Sequence, residues 1–170
     1  YYYFIDTDQS SLDTLKEKLK DKADGKIIEY RPGDVNAQIP MLAGALKKDK
    51  YAALVFLDPF GMQIDWASIA ELKDTRSDIW ILIPSGVIVN RLLDKAGELK
   101  HWGILQKFFG LPIDEIESYF YKKTIEETLF GEEEIITKIS KPIEKIAQLY
   151  ATRLKTIWSF VTEEPLVLKN

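Results

Sequence analysis

Four short polar clusters stand where apolar runs stop in the first half of the chain: Asp6-Thr7-Asp8, Gly33-Asp34-Val35, Asp58-Pro59-Phe60-Gly61 and Pro84-Ser85-Gly86. Three of them carry carboxylates, so the chemistry they offer is hydrogen-bond acceptance. Asp6 closes an apolar run ahead of Leu12, which opens a helix face. A carboxylate there can accept both hydroxyl hydrogens of a ribose. The plainer alternative is a helix cap, a role that suits Asp8 better. Asp34, after Gly33, can accept from the exocyclic amine of an adenine, or it can serve a turn or a cap. Asp58-Pro59-Phe60-Gly61 is the sharpest of the four. An acceptor, a ring-locked residue and an aromatic in succession can clamp a planar, amine-bearing group, the ring stacking while the carboxylate takes the N–H. The alternative is a strand-ending Asp-Pro turn with Phe60 tucked into the core.

Other chemistries find little here. Ser85 has no nucleophile elbow around it, and His101 is the chain's one histidine, so a Ser–His hydrolase is not indicated. His101 beside Trp102 reads as a packed helix residue. No Gly-x-x-x-x-Gly-Lys-Ser/Thr run occurs, which removes the P-loop hydrolases. Zero cysteines exclude disulfides, thiolate nucleophiles and cysteine-held metals, leaving a carboxylate-bound Mg²⁺ as the metal chemistry open to the chain. Arg91, Lys95 and Lys100 could line an anionic groove, though a solvated face explains them as well. Glu126-Glu127 and Glu132–Glu134 read as solvated charge, and Tyr119, Phe120 and Tyr121 as core.

The elements that must position these groups follow from periodicity. Tyr1–Ile5 is aromatic and β-branched, hence strand. Leu12, Leu15 and Leu19 recur at helical spacing, and Gly25 ends that helix. Lys26–Tyr30 is a short strand stopped by Pro32-Gly33, and a helix through Met41, Leu42, Ala45 and Leu46 follows. Ala52–Leu57 and Asp78–Ile83 are continuous apolar runs, the pattern of strands covered on both faces. Trp66, Ile69, Ala70 and Leu72 form a short helix between them, and a helix with Val87, Ile88 and Leu92 comes after the second. Four β–loop–α units in a row predict a parallel sheet with right-handed crossovers. The clusters then fall on one rim, at the carboxyl ends of the strands, where ligands bind in such sheets.

Past about residue 97 the rhythm changes. Residues 99–137 are expected to be a helical insertion, and Ile139, Ile143, Ile146, Tyr150, Leu154 and Ile157 mark one face of a long helix. Phe160-Val161 and Leu166–Leu168 read as final strand material. The core is therefore expected over 1–98 and 138–170. The composition is that of a globular chain, 46% hydrophobic and 29% charged, with no apolar stretch of transmembrane length and no signal peptide. These features predict a cytoplasmic protein without membrane contact. The formal net charge of −4 means that nucleic-acid contact would need a local basic patch. A strand at each bare end predicts that the chain is a piece of a longer protein.

The run Ala53–Asp65, Ala-Leu-Val-Phe-Leu-Asp-Pro-Phe-Gly-Met-Gln-Ile-Asp, with Trp66, resembles the three-Cys-motif partner family (TcmP). So do Phe4-Ile5-Asp6, Asp78-Ile-Trp-Ile-Leu-Ile-Pro84 with Asn90-Arg91, and the tail from Tyr150 through Arg153-Leu154-Lys155 to Asn170. The resemblance implies an α/β, Rossmann-like fold of the class I methyltransferase kind: a mostly parallel sheet with flanking helices and a helical insertion. It implies that Asp6 binds the ribose of S-adenosyl-L-methionine, that Asp34 lies near the adenine, and that Asp58, Pro59 and Phe60 occupy the place of the Asp-Pro-Pro-Tyr motif of amino-methyltransferases. The aromatic here follows a single proline, one position early. The glycine-rich loop after a first strand is absent, because the match begins at strand two. The expected partners are a three-Cys-motif protein and a nucleic-acid or protein amine that accepts the methyl group. The competing expectation is a catalytically silent, partner-binding subunit in a mobile-element or defence system.

Overall fold

The structure is a computed structural model that describes residues 1–49, 51–86, 88, 101–129 and 131–166. It opens with β1 (Tyr2–Asp6), α1 (Gln9–Leu19) and a 3-10 turn, Lys20–Lys22. β2 (Ile28–Pro32) and α2 (Val35–Asp49) follow, then β3 (Ala52–Leu57), α3 (Trp66–Ala70) and β4 (Arg76–Ile81). The second half holds α4 (Trp102–Phe109), α5 (Ile113–Phe120), β5 (Tyr121–Thr128), β6 (Gly131–Lys138) and α6 (Pro142–Lys155).

Among the described residues the strands form two-stranded sheets. β1 pairs with β2 in parallel, Asp6 opposite Pro32, and β3 pairs with β4 in parallel, Leu57 opposite Ile81. Parallel neighbours require a crossover, and α1 and α3 supply one each. The architecture is thus mixed α/β with small sheets, and no described pairing joins β1–β2 to β3–β4 into one Rossmann-like sheet.

The core lies on one face of β3–β4. Leu57 is buried with Ile39 and Ala43 of α2, Trp66 and Ile69 of α3, Phe108 and Phe109 of α4, Phe120 of α5 and Tyr150 of α6. Tyr150 is its aromatic centre, 4.9 Å from the Phe108 ring and edge-on to Trp66 at 5.9 Å. Burial among these rings pushes the Tyr150 hydroxyl pKa up, because a phenolate would have no water to solvate it.

Several sequence expectations are corrected. Described residues do not cover β3 and β4 on both faces: Val55, Leu57, Ile79 and Ile81 face the core, but Leu54, Phe56 and Trp80 on the opposite face are 72%, 60% and 54% exposed. Residues 99–137 are not all helix. α4 and α5 end at Phe120, and Tyr121–Lys138 is an antiparallel hairpin. Its β-branched residues Thr124, Ile125, Ile135, Ile136 and Thr137 favour extended backbone over helix, and Gly131, at φ +121°, opens β6 directly after the turn. Phe160-Val161 is irregular rather than strand, and Phe160 stands in solvent. His101 is not packed within a helix but exposed, in left-handed conformation just before α4. Val87, Asn90, Arg91, Leu92, Lys95, Lys100 and Val167-Leu168 lie outside the described residues; Ile88 is fully buried in the core.

Candidate functional site

Each of the three carboxylates singled out above stands just at or past the carboxyl end of a parallel strand. Asp6 is the last residue of β1, and its carbonyl accepts from Gly33 N at 2.9 Å, which ties the end of β1 to the turn after β2. Asp34 follows Gly33 directly, so Asp6 and Asp34 share a rim. Asp58 follows β3, whose last residue, Leu57, accepts from Leu82 N at 2.9 Å at the end of β4.

What joins the two rims is Asn36, a residue that the sequence reading passed over. Its side-chain amide donates to Gln63 O at 2.8 Å and accepts from Asp65 N at 2.8 Å. Its carbonyl takes the Ser68 hydroxyl at 3.4 Å, and Ser68 is buried. The first turn of α2, just past the carboxyl end of β2, is thereby held against the loop that follows the carboxyl end of β3. The local signal is Asp34-Val35-Asn36, an Asx pattern in which Asp34 Oδ1 accepts from Asn36 N at 2.9 Å. Nothing in it indicates a contact 27 residues away.

The side chains differ in how they are used. Asp6 Oδ1 accepts from Asp8 N at 2.8 Å, and no described residue donates to its other oxygen. Asp8 is the N-cap of α1, as its position suggested, accepting from Ser10 N and Ser11 N. Asp34 heads α2, its carbonyl accepting from Ala37 N and Gln38 N. Both readings of Asp34 thus stay physically compatible, since Oδ2 takes no bond from a described residue. Asp58 is exposed and makes no hydrogen bond among the described residues. Phe60 is 90% exposed, so the alternative that buries its ring in the core is overturned. Gln38, on the second turn of α2, brings its amide nitrogen to within 3.3 Å of where a Cβ on Gly33 would lie, and its Oε1 is buried without a partner.

The rim therefore carries three exposed carboxylates and one exposed aromatic ring, groups that can accept hydroxyl or amine hydrogens and stack on a flat ring. A groove of about 440 Å³ lies elsewhere, between α1 and the start of β2, lined by Asp13, Lys16, Glu17, Lys20, Lys26 and Tyr30, and it contains none of the rim groups. Among the described residues no group of three or more acidic or histidine side chains is placed to hold a metal ion, and no helix is long and apolar enough to cross a membrane. Comparison with models of protein families, with curated proteins and with solved structures gave no match.

Proposed function

We propose that this chain is part of a methyltransferase-like protein of the three-Cys-motif partner kind that binds S-adenosyl-L-methionine along the rim. The observation that carries the reading is that Asp6, Asp34 and Asp58 end or follow parallel strands, and that Asn36 ties the start of α2, just after β2, to the loop after β3. When bound, the cofactor supplies an electrophilic methyl group. In this reading the free oxygen of Asp6 accepts from the ribose, Asp34 accepts from the adenine amine, and the Phe60 ring stacks on the acceptor. Asp58 orients the acceptor nitrogen by taking one of its hydrogens, and positioning supplies most of the acceleration. The acceptor is an amine of a nucleic acid or of a partner protein.

The test is isothermal titration calorimetry of the native polypeptide with S-adenosyl-L-methionine. Asp6→Ala is expected to abolish binding, and Asp58→Ala to bind normally while methyl transfer stops. Identical titrations of wild type and Asp6→Ala would end the proposal.

A second reading is favoured by one specific observation. Leu54, Phe56 and Trp80 make an apolar face on β3–β4 that no described residue covers. A catalytically silent subunit that binds a partner protein, such as a three-Cys-motif protein in a mobile-element or defence system, would use such a face. Calorimetry separates the two, since the silent subunit takes up no cofactor.

A further inference from the structure

The groove between α1 and β2 lies away from the rim, and two kinds of side chain line it. Leu12, with the half-buried Leu15 and Leu19, lays α1 against β1 and β2. Beside that apolar stripe, Asp13, Lys16, Glu17 and Lys20 recur at i, i+3, i+4 and i+7, which sets them on one face of the helix. The space between this face and β2 is the groove of about 440 Å³. That volume falls within the roughly 300–1,000 Å³ usual for small-molecule sites.

Three ammonium groups converge there. Lys16 makes no ion pair or hydrogen bond among the described residues. Lys20 stands 3.8 Å from Glu17, an exposed pair of little strength. Lys26 Nζ donates to Lys22 O at 2.6 Å and keeps two hydrogens to give. Of the two carboxylates, Asp13 takes the Gln9 amide at 2.8 Å and Glu17 lies beside Lys20. Three lysines against two carboxylates leave the lining positive, in a chain whose formal net charge is −4. Lysines near the end of α1 suit the helix dipole. That does not account for Lys26, which returns to the same groove from the loop ahead of β2, or for the wall beside it. The wall is Ala23, Ile28 and Tyr30, the Tyr30 ring stacked on Phe4 at 5.7 Å and 22°.

We propose that this groove binds a nucleotide, its phosphate on Lys16, Lys20 and Lys26 and its base against Tyr30. Cations for the phosphate beside an aromatic wall for a flat ring are the two halves of nucleotide recognition. A free nucleotide and one unit of a single strand carry the same groups. A phosphotyrosine also joins a phosphate to a ring, but phosphopeptide sites are built on arginine clusters, and no arginine lines this groove. The site is independent of S-adenosyl-L-methionine binding at the rim.

The test is an NMR titration of backbone amides of the native polypeptide with uridine 5′-monophosphate and with hexauridylate. Uracil has no exocyclic amine, so the response does not report on the adenine contact expected of Asp34. Shifts are expected together at Lys16, Lys20, Lys26, Ile28 and Tyr30. Lys16→Ala with Lys20→Ala should weaken hexauridylate about tenfold at physiological salt and cut the slope of log Kd on log salt from about 2 to about 0.7. Both side chains are exposed, so the thermal midpoint should stay in place. Tyr30→Leu keeps the wall apolar yet should cost about fivefold or more, the stacking of one base. Hexauridylate binding tighter than the monophosphate, beyond the count of its units, assigns the groove to a strand, and equal affinity per unit assigns it to the free nucleotide. No shifts with either ligand, shifts at Asp6 and Asp34 instead, or variants that bind like wild type would overturn the site. So would inorganic phosphate binding as tightly as the nucleotide, or phenyl phosphate doing so, which would point to phosphotyrosine.

Discussion

Asp8 and Gly110 illustrate how single residues set the ends of elements. The Asp8 carboxylate takes the Ser11 hydroxyl at 2.6 Å and the backbone N–H groups of Ser11 and Ser10 at 3.0 and 3.2 Å. The Ser11 hydroxyl, then the two amides, hold its pKa below the ordinary carboxylate value. A depressed native pKa means that the unfolded chain takes up its proton first as pH falls. The cap's contribution is therefore complete above the unfolded pKa, about 3.9, and is lost as pH falls through the lower native value. Thermal melts should show wild type above Asp8→Ala by a constant margin from neutral pH down to about pH 5, narrowing below about pH 4; a margin unchanged at strongly acid pH would contradict the cap. Gly110 ends α4 at φ +61°, its N–H donating to Gln106 O at 2.7 Å. A Cβ there would run into the Trp66 ring, which Arg153 covers from 4.7 Å while donating to Phe109 O and Gly110 O. Strain of the left-handed backbone plus overpacking should make Gly110→Ala at least ~2 kcal/mol less stable in urea denaturation. A cost under half of that would show that Trp66 can move aside.

At the scale of elements the hairpin of β5 and β6 is the clearest departure from the sequence reading. Its register sets Glu126 opposite Glu133 and Glu127 opposite Glu132, like charges directly across the ladder. Such pairs are destabilising, and changing one member to the opposite sign should reverse the term. Glu133→Lys is expected to stabilise the chain by ~0.2–1 kcal/mol, measured by denaturant midpoint at low salt, with the gain shrinking as salt is added. No gain at low salt would mean that the two carboxylates already point apart. The charge runs were legible as solvated residues, and they are exposed. Their strand conformation was not, because the eye follows charge and aromatic spacing while the Thr and Ile residues that favour extended chain are interleaved among them. The β–α units of the first half were legible because apolar runs of five or six residues alternate with capped helical segments, and all four strands formed near their expected places.

For the whole molecule the open face of β3–β4 matters most. Leu54, Phe56 and Trp80 are large, exposed and adjacent on paired strands, and no described residue covers them. Because these side chains rest mostly in solvent, the double variant Phe56→Ser, Trp80→Ser should keep stability within ~1 kcal/mol of wild type. Its fluorescence with the apolar dye ANS should fall. A large loss of stability would mean that the face is covered in solution. α1 lies apart from the main core: Leu12 is buried but does not join the cluster around Tyr150.

The sequence alone determined the parallel β–α rhythm and the carboxylates that stand at strand ends, because hydrophobic period and strand-breaking residues are local properties. Only the tertiary structure decided that Asn36 bridges the α2 start to Gln63 and Asp65, that Phe60 faces solvent, and that no described residue covers Leu54, Phe56 and Trp80 on one face of β3–β4. Those outcomes depend on contacts between residues far apart in the chain, and an apolar run of six residues reads the same whether a second layer covers it or not.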